Sequence, residues 1–359
     1  MNVLTVNLGD SSYNIIVERG ALASLGQQCR DAGLKGTAAV ISNPTVSGLY
    51  GAAVVSSLAS AGYSVVQIEM PDGEEYKNST TLNKIYDDLL DAGVDRSSFV
   101  VALGGGVVGD VAGYAAATWL RGIPFVQVPT TLLAQVDSSV GGKTGIDHPK
   151  GKNLIGAFYQ PRLVLIDVDT LTTLDRRHFR AGIAEVIKYG VAIDHAFFDF
   201  IEASTAAIMA MDPDVLIKII LQSCQLKAQV VELDEKESGL RAILNYGHTL
   251  GHAFESLSGY CGLVHGEAVA IGMVLAARVS VAKGLCTQEE YSRIRSLIVQ
   301  FGLPVTVPQF NRQELLSVVA ADKKSKGGTI TFICNSGIGM YAMVHHTPEE
   351  LLTLGGLEA

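Results

Sequence analysis

The sequence predicts an α/β N-terminal domain, with a Rossmann-like parallel sheet and an antiparallel hairpin, followed by an all-α C-terminal domain. Up to about residue 167, short β-branched runs alternate with helical patterns, which is typical of parallel βαβ units with right-handed crossovers. Beyond it, long amphipathic helical patterns continue to about residue 319. A chain of 359 residues with 48% hydrophobic content exceeds what one core usually covers. We therefore expect two domains, residues 1–174 and 175–359, with a catalytic cleft between them.

The first domain opens with two alternating segments around a Gly-Asp-Ser-Ser turn, which predicts an antiparallel hairpin at the sheet edge. Further strands are expected at 37–42, 64–70, 99–103, 125–128 and 163–167, with helices ending near residue 61 and spanning 77–92. A small terminal hairpin is expected at 329–334 and 340–344. In parallel sheets, ligands bind beyond the carboxyl ends of the strands. Those ends are Ser42-Asn43, Asp72 to Lys77, Gly104 to Gly106 and Pro129 to Thr131.

Three consecutive glycines, Gly104 to Gly106, follow the strand at 99–103. They form part of a Gly-x-Gly-x-x-Gly pattern, but this follows a later strand of the series rather than the first. No acidic residue stands about 20 positions later to hold a ribose, so it is not the usual Rossmann fingerprint. Residues without side chains before a helix N-terminus still suit a pyrophosphate. We expect nucleotide binding there, the alternative being a plain strand-to-helix turn.

A second glycine-rich segment, Gly141-Gly-Lys-Thr144, is similar to a P-loop. Asp137 occupies the position of the first P-loop glycine, and a helical pattern rather than a strand precedes the segment, so a P-loop is excluded. What remains is a predicted loop that offers Lys143, Lys152 and Asn153 in an acidic protein. These are candidate anion-binding residues, with solvated lysines as the alternative.

The stretch Asn245 to Glu255 places two imidazoles and an amide in one predicted helical segment. His248 and His252 are four residues apart and Asn245 lies one turn earlier, so all three would project from one stripe. A metal or an anion could bind there. The alternative for an isolated histidine pair is a core helix with hydrogen-bonded side chains.

The same segment carries Gly247 and Gly251, each about 1 kcal/mol less favourable in a helix than alanine, which indicates a crowded environment. Two further candidates lie in apolar runs elsewhere. Glu185 is surrounded by aliphatic residues, and His265 begins a long apolar segment. The histidine pair is therefore not isolated, which favours a site.

Composition excludes several classes of function. A net charge of −9 and a pI near 5.4 remove any general electrostatic reason to bind nucleic acid or anionic lipid. Five scattered cysteines without Cys-x-x-Cys indicate reduced core thiols of a cytosolic protein. The N-terminus lacks the pattern of a secretory signal. Residues 99–120 are apolar, but the glycines and Asp110 fit a strand, turn and helix better than a membrane span.

These motifs occur in one order along nearly the whole chain, which closely resembles the 3-dehydroquinate synthase family of the sugar phosphate cyclases. The motifs are Gly104-Gly-Gly106, the segment 138–158, Ala184 to Lys188, Gly239-Leu-Arg241, Asn245 to His248, His252, His265-Gly-Glu267 and Asp322 to Lys324. The resemblance implies a cytoplasmic, homodimeric lyase of the shikimate pathway that uses NAD and one divalent metal, zinc or cobalt. Its substrate would be a phosphorylated sugar acid, 3-deoxy-D-arabino-heptulosonate 7-phosphate, converted to 3-dehydroquinate and phosphate.

The resemblance also implies roles for individual residues. Metal ligands would be Glu185, His248 and His265, so the pairing of His248 with His252 as ligands is overruled and His252 would face the substrate. Cofactor contacts would be Asn43, Glu74, Lys77, Gly105, Gly106, Asp110, Thr130, Thr131, Lys152 and Thr173. Substrate contacts would be Asp137, Lys143, Asn153, Lys188, Lys227, Arg241, Asn245, the pair Lys323 and Lys324, and Arg121 from the partner subunit. Leu174 to His178 depart from the family pattern, outside the ligand set, which puts the local helix start in doubt.

The implied reaction begins with transient oxidation, because phosphate elimination needs an acidic proton beside the leaving group and a secondary alcohol provides none. A ketone formed with NAD supplies it, and the hydride returns before ring opening and aldol closure. Arg241 is the expected reader of the substrate carboxylate, with pairing to Glu237 on its own helix turn as the alternative. Two other functions remain open: an alcohol dehydrogenase of the glycerol or iron type, and a non-catalytic nucleotide-binding module.

Overall fold

A computed structural model describes residues 1–258, 262–320, 325–326 and 328–357. It divides into two compact units, one of Met1–Leu174 with Leu216–Glu232 and one of Asp175–Val215 with Leu233–Ala359. A single division at residue 174 therefore does not describe the whole chain. Leu216–Glu232 group with the first unit because their side chains bond there: Lys227 Nζ donates to the Asp137 carbonyl at 2.7 Å.

The first unit holds a seven-stranded sheet of order β1-β2-β9-β6-β5-β3-β4. The strands of this unit are β1 Asn2–Val6, β2 Tyr13–Glu18, β3 Thr37–Ser42, β4 Ser64–Glu69, β5 Phe99–Gly104, β6 Phe125–Pro129, β7 Lys143–His148, β8 Gly151–Phe158 and β9 Leu163–Asp167. Its helices are α1 Leu25–Asp31, α2 Pro44–Val46, α3 Ala52–Ser60, α4 Ser79–Asp91 and α5 Gly106–Thr118. The predicted alternation and the opening hairpin at the sheet edge are confirmed.

Strands β5, β6 and β9 are buried along their whole length, and the ladders between them are parallel. A parallel sheet is covered on both faces, so its strands are continuous apolar runs rather than alternating ones. One core lies on each face: Leu25, Leu58 and Leu103 belong to one, and Leu89, Val111 and Phe125 to the other. The carboxyl ends of these strands are thereby fixed at one edge of the sheet.

The segment predicted as a loop between residues 138 and 158 is an antiparallel hairpin. Strands β7 and β8 pair with Lys143 opposite Phe158 and Ile146 opposite Ile155. Gly145 and Gly156 face each other, and a Cβ on Gly156 would come within 2.1 Å of the Thr144 carbonyl oxygen. The loop prediction was wrong because these glycines, needed for close strand contact, weaken the alternating pattern that identifies strands.

The second unit is predominantly helical, as predicted. Its helices are α6 Arg176–Ala192, α7 His195–Ala203, α8 Thr205–Met209, α9 Pro213–Leu233 (shared with the first unit), α10 His248–Leu257, α11 His265–Ala282, α12 Gln288–Gln300, α13 Arg312–Ala320 and α14 Pro348–Leu354. It also contains a small antiparallel sheet of β10 Ser325–Lys326, β11 Thr329–Asn335 and β12 Tyr341–His346. The predicted terminal hairpin is confirmed, and the description of this domain as all-α is corrected accordingly.

Helix α11 is the one described helix that is long and apolar enough to span a membrane. Within the protein, 72% of its apolar window is buried. Helices of this kind are common as the central element of a helical core, where all sides pack against other elements. Its first residue is His265, so the central helix of the unit begins at a predicted site residue.

Candidate active site

Lys77 is the centre of a buried polar cluster in the first unit. Its ammonium donates to Asp110 Oδ2 and to Asn153 Oδ1, both at 2.6 Å. Burial of the ammonium lowers the pKa of Lys77, but the neighbouring Asp110 carboxylate outweighs this and holds the pKa above its ordinary value. Three predicted cofactor and substrate residues, taken from three separate parts of the sequence, are thereby joined.

Other predicted cofactor residues lie at the carboxyl ends of the strands. Asn43 caps α2, accepting from the Val46 N–H at 2.8 Å. Gly105 precedes the first residue of α5, and a Cβ on it would meet the Thr131 side chain at 3.0 Å. The first N–H groups of a helix lack partners within it and face outward from its end. This end of α5 therefore offers the backbone donors that a pyrophosphate requires.

The remaining residues of the predicted cofactor set are placed as follows. Thr130 is buried, with its N–H bonded to the Gly104 carbonyl at 3.0 Å. Thr173 lies 2.5 Å from the Tyr50 hydroxyl. Lys152 Nζ lies 3.4 Å from Glu74 Oε1 in a partly exposed pair.

The predicted substrate residues of the first unit include two with left-handed backbone. Asn153 has φ of 54° and Arg121 has φ of 70°, next to Leu120 at 49°. Such conformations are costly outside glycine and cluster at functional sites. Lys143 is exposed at the start of β7, and Lys227 Nζ lies 3.0 Å from Asp137 Oδ1.

In the second unit, helices α6, α10 and α11 bring a carboxylate and three imidazoles together. The Glu185 Oε1 atom lies 3.4 Å from His248 Nε2 and 3.5 Å from His265 Nε2. Glu185 is fully buried and is ion-paired with Lys188 one turn later on α6. Rings of His248 and His252 lie 5.3 Å apart, and ligand atoms of all three histidines lie within 4.8 Å of one another.

This cluster fits a divalent metal. Zinc binds nitrogen and oxygen at about 2.0–2.2 Å, so two ligand atoms on a tetrahedral ion are about 3.4 Å apart. The two contacts of Glu185 Oε1 have that spacing. His248 Nδ1 faces the Tyr246 carbonyl at 3.1 Å, and His265 Nδ1 faces Glu255 Oε2 at 3.3 Å. Because both Nδ1 atoms face acceptors, the Nε2 lone pairs are directed to the centre of the cluster.

The two imidazoles differ in their affinity for protons. Burial lowers the pKa of His248 well below its ordinary value, although Glu185 acts in the opposite direction. Burial also lowers the pKa of His265, but hydrogen bonds to Glu185 and Glu255 outweigh this effect and raise the pKa to about 10. His248 is therefore neutral at pH 7, whereas His265 carries a proton when no cation occupies the cluster.

Arg241 is 1% exposed and lies on a turn held by Asp234. The Asp234 carboxylate accepts from the N–H groups of Ser238, Gly239 and Arg241 at 2.7–2.9 Å, and these bonds lower its pKa. Arg241 Nη1 donates to the Glu235 carbonyl at 2.6 Å. Arg241 is therefore not the solvent-exposed guanidinium that the alternative of a surface pair with Glu237 assumed.

The prediction that Asn245, His248 and His252 project from one helix is wrong for Asn245. Residues Leu240–Asn245 form a 3₁₀ helix, and α10 begins only at His248. Gly247 separates them with φ of 80°, and a Cβ on it would lie 2.6 Å from Met273 Cγ. The crowding indicated by the glycines is real, but it comes from α11 packing against the backbone.

Comparison with known proteins decides the family. A family model described as 3-dehydroquinate synthase N-terminal matches residues 67–181, and one described as 3-dehydroquinate synthase C-terminal matches residues 182–325. The chain belongs to the 3-dehydroquinate synthase family. A 3-dehydroquinate synthase of Pelobacter propionicus is 64% identical over 358 residues, covering 100% of both chains. The predicted function, that of an NAD- and divalent-metal-dependent lyase with 3-dehydroquinate synthase activity, is confirmed.

Solved structures of other cyclases are similar to this 3-dehydroquinate synthase family member. The 2-epi-5-epi-valiolone synthase ValA of Streptomyces hygroscopicus, with NAD⁺ and Zn²⁺ bound, superimposes with a TM-score of 0.88 at 29% identity. It covers 98% of this chain and 99% of its own. A 2-deoxy-scyllo-inosose synthase with carbaglucose-6-phosphate, NAD⁺ and Co²⁺ gives 0.89 at 26% identity, covering 98% of both. The predicted cofactors, NAD with zinc or cobalt, are confirmed.

The sequence analysis missed several side chains that contact the predicted site residues or their neighbours. Glu255 contacts His265, Asp234 holds the Arg241 turn, and Arg177 pairs with Glu267. A signal existed for the turn that Asp234 holds, because the dipeptide Ser238-Gly239 is typical of turns. Glu255 and Arg177 contact residues 10 and 90 positions away in the sequence. Helical periodicity indicates only neighbours three or four positions apart, so it could not predict these contacts. Lys323 and Lys324 lie outside the described residues.

Proposed function

We propose that Glu185, His248 and His265 hold the divalent metal. The observation that carries this assignment is the 3.4 and 3.5 Å spacing of Glu185 Oε1 from two imidazole Nε2 atoms whose Nδ1 atoms face acceptors. One oxygen and two nitrogens leave positions open for substrate hydroxyl groups. His252 lies beside this set and faces the substrate.

We propose that the first unit binds NAD through the N-terminus of α5 and the Lys77 cluster. The backbone at Gly105 and Gly106 receives the pyrophosphate, because no side chain stands between it and the anion. Asn43, Glu74, Asp110, Thr130, Thr131, Lys152 and Thr173 complete the cofactor contacts. When bound, NAD accepts and returns hydride, and the metal stabilises the substrate alkoxide.

The substrate 3-deoxy-D-arabino-heptulosonate 7-phosphate carries a carboxylate and a phosphate, and the chain supplies cations for both. Arg241 meets the carboxylate, since a guanidinium can bond it bidentately and the Asp234 turn fixes its backbone. Asn245 adds an amide donor. Asp137, Lys143, Asn153, Lys188, Lys227 and the pair Lys323 and Lys324 bind the phosphate and hydroxyl groups. Positioning of this kind lowers a barrier by up to roughly 7–11 kcal/mol.

We propose that the enzyme is a cytoplasmic homodimer. Three large apolar side chains of the first unit, Leu120, Leu154 and Phe158, are 38–44% exposed. Leu120 precedes Arg121, and the Tyr159 hydroxyl, next to Phe158, donates to the Ile123 carbonyl at 2.8 Å. Exposed apolar side chains close in sequence to Arg121 and Tyr159 support a self-association face that carries Arg121 to the partner. The described cysteines are buried free thiols, which supports a reducing compartment.

The substrate assignment is tested by phosphate release from the heptulosonate with NAD and zinc, compared with glucose 6-phosphate, which has no carboxylate. Arg241→Ala is expected to cost about 2–5 kcal/mol of transition-state binding, a factor of roughly 30 to several thousand in kcat/KM. Arg176→Ala, which removes an exposed guanidinium from α6, is the control. Preference of the wild type for glucose 6-phosphate, or heptulosonate turnover within a few-fold in Arg241→Ala, would refute the assignment.

The contribution of Arg121 across the dimer is tested by mixing inactive variants. Arg121→Ala mixed with His265→Ala would restore about a quarter of the activity, because half of the dimers are hybrids and each hybrid has one intact site. Arg241→Ala mixed with His265→Ala is the control and restores none, since each substitution disables the site of the subunit that carries it and a hybrid therefore has no intact site. Equal recovery in the two mixtures would contradict the proposal.

A further inference from the structure

Arg177 and Glu267 form a bidentate ion pair in the second unit. Arg177 Nε donates to Glu267 Oε1 and Nη2 donates to Oε2, both at 2.7 Å. The Arg177 side chain is 51% exposed and that of Glu267 is 16% exposed. Parallel donation from a guanidinium to both carboxylate oxygens fixes direction as well as distance. The pair thereby joins the first turn of α6 to the first turn of α11.

The same two side chains also hold the backbone that leads into α11. Glu267 Oε2 accepts from the Val264 N–H at 3.1 Å, which closes the N-terminus of the helix. Arg177 Nη2 donates to the Gly262 carbonyl at 2.7 Å. Residues 262–267 are therefore tied at both ends to one arginine, and His265 lies within them.

Helices α6 and α11 touch directly beside this pair. Gly266 packs on α6 so closely that a Cβ would lie 2.0 Å from the Ala181 carbonyl oxygen. Ala181 is one turn before Glu185 on the same helix, and Gly266 is adjacent to His265. The direction in which α11 leaves this contact thus sets the distance between Glu185 Oε1 and His265 Nε2.

We propose that Arg177 and Glu267 are positioning residues for the metal centre. They hold the start of α11 against α6 so that His265 meets Glu185 at ligand spacing before a metal arrives. This inference rests on the proposed ligand set of Glu185, His248 and His265. Most exposed ion pairs contribute little, but a bidentate pair between an arginine and a carboxylate that is only 16% exposed belongs to the minority with fixed geometry. Arg177 lies in the segment that departs from the family pattern. Asp175 accepts from the Arg177 N–H and caps α6, so Arg177 lies in the first turn of that helix.

The test measures the dissociation constant of Co²⁺ by competition with a chromophoric chelator, together with the d–d absorption of the bound ion. Arg177→Ala is expected to bind Co²⁺ about 10-fold more weakly, at the low end of the 10–100-fold loss for outer-shell partners of metal ligands. Arg177→Lys keeps the positive charge but cannot bond both carboxylate oxygens in parallel, so its loss of Co²⁺ affinity should be intermediate. Arg176→Ala is the matched control, because Arg176 is the preceding residue and its guanidinium donates to the Met209 carbonyl instead. Its dissociation constant for Co²⁺ should stay within about twofold of the wild-type value.

The double variant Arg177→Ala/Glu267→Gln should bind Co²⁺ no more weakly than Glu267→Gln alone, because the two side chains act as one unit. All proteins are compared at a temperature where circular dichroism shows them folded, and Arg177→Lys replaces Arg177→Ala if the latter does not fold. Co²⁺ affinity and d–d spectrum of Arg177→Ala equal to those of Arg176→Ala would overturn the inference. Wild-type protein that binds no Co²⁺, or binds it equally after His265→Ala, would instead refute the ligand set.

Discussion

Removal of the Lys77 ammonium tests whether the cluster in the first unit is a buried charge pair. The Lys77 side chain is 5% exposed and that of Asp110 is 21% exposed, with 2.6 Å between charged atoms. Loss of one partner of a buried pair costs about 3–5 kcal/mol, and the partial exposure of Asp110 places Lys77→Met near the lower end. Methionine keeps most of the apolar stem, so the loss reports the charge rather than packing.

The assay is urea unfolding of NAD-free protein followed by tryptophan fluorescence. The chain has one tryptophan, Trp119, which stacks on Tyr86 in the first unit and so reports this unit specifically. Lys84→Met is the matched control, because Lys84 pairs with Asp88 one turn away on α4 and is 62% exposed. Such a pair contributes only about 0.3–0.5 kcal/mol.

A second variant separates charge from structure. Lys77→Met/Asp110→Asn leaves no uncompensated charge, so it should recover at least about 1 kcal/mol relative to Lys77→Met. If Lys77→Met loses no more stability than Lys84→Met, the ammonium is not buried in the folded protein. If the double variant is less stable than Lys77→Met, the cost is one of packing and the charge-pair explanation is wrong.

Three further predictions concern the cofactors. NAD should be required but not consumed, so catalytic amounts support many turnovers, and NADH accumulating in step with phosphate would contradict this. Metal binding at pH 7.5 should release about one proton, because His265 has a pKa of about 10 and must become neutral while His248 already is. Affinity should therefore rise with pH, and calorimetry in buffers of different ionisation enthalpy that shows no proton release would contradict the assignment. Glu255→Gln should weaken metal binding about 10-fold by loosening His265, and unchanged affinity would exclude that role.

The sequence predicted the strands wherever burial on both faces of the sheet makes a strand continuously apolar. The strands at 37–42 and 163–167 match β3 and β9, because a strand covered on both faces must be apolar throughout. The β7–β8 hairpin was missed, since its glycines serve contacts across the strands that no local pattern displays. Grouping of Leu216–Glu232 with the first unit was likewise unpredictable, because one helical pattern continues across both boundaries.

The sequence named the candidate site residues but did not predict the contacts between them. Glu185, His248 and His265 were indicated by residue type and by the resemblance, and the structure brings them together. Lys77, Asp110 and Asn153 were each assigned separately, yet their contacts join residues 33 and 76 positions apart. Pairings at that separation depend on how the strands are ordered, which periodicity does not encode. Arg177 was set aside as part of a local departure, although its partner lies 90 positions later.

Helix α9 has a consequence for how the protein can be divided. Its 21 residues run without interruption, yet Leu216–Glu232 count with the first unit while Pro213 and Leu233 count with the second. A fragment ending at residue 174 would lack Lys227 and Cys224, and the Asp137 and Gln135 carbonyl groups would lose these two hydrogen-bond donors. Neither half is a free-standing module that recombination could transfer by one cut. Because residues of one continuous helix belong to both units, a cut at either end of Leu216–Glu232 would interrupt that helix.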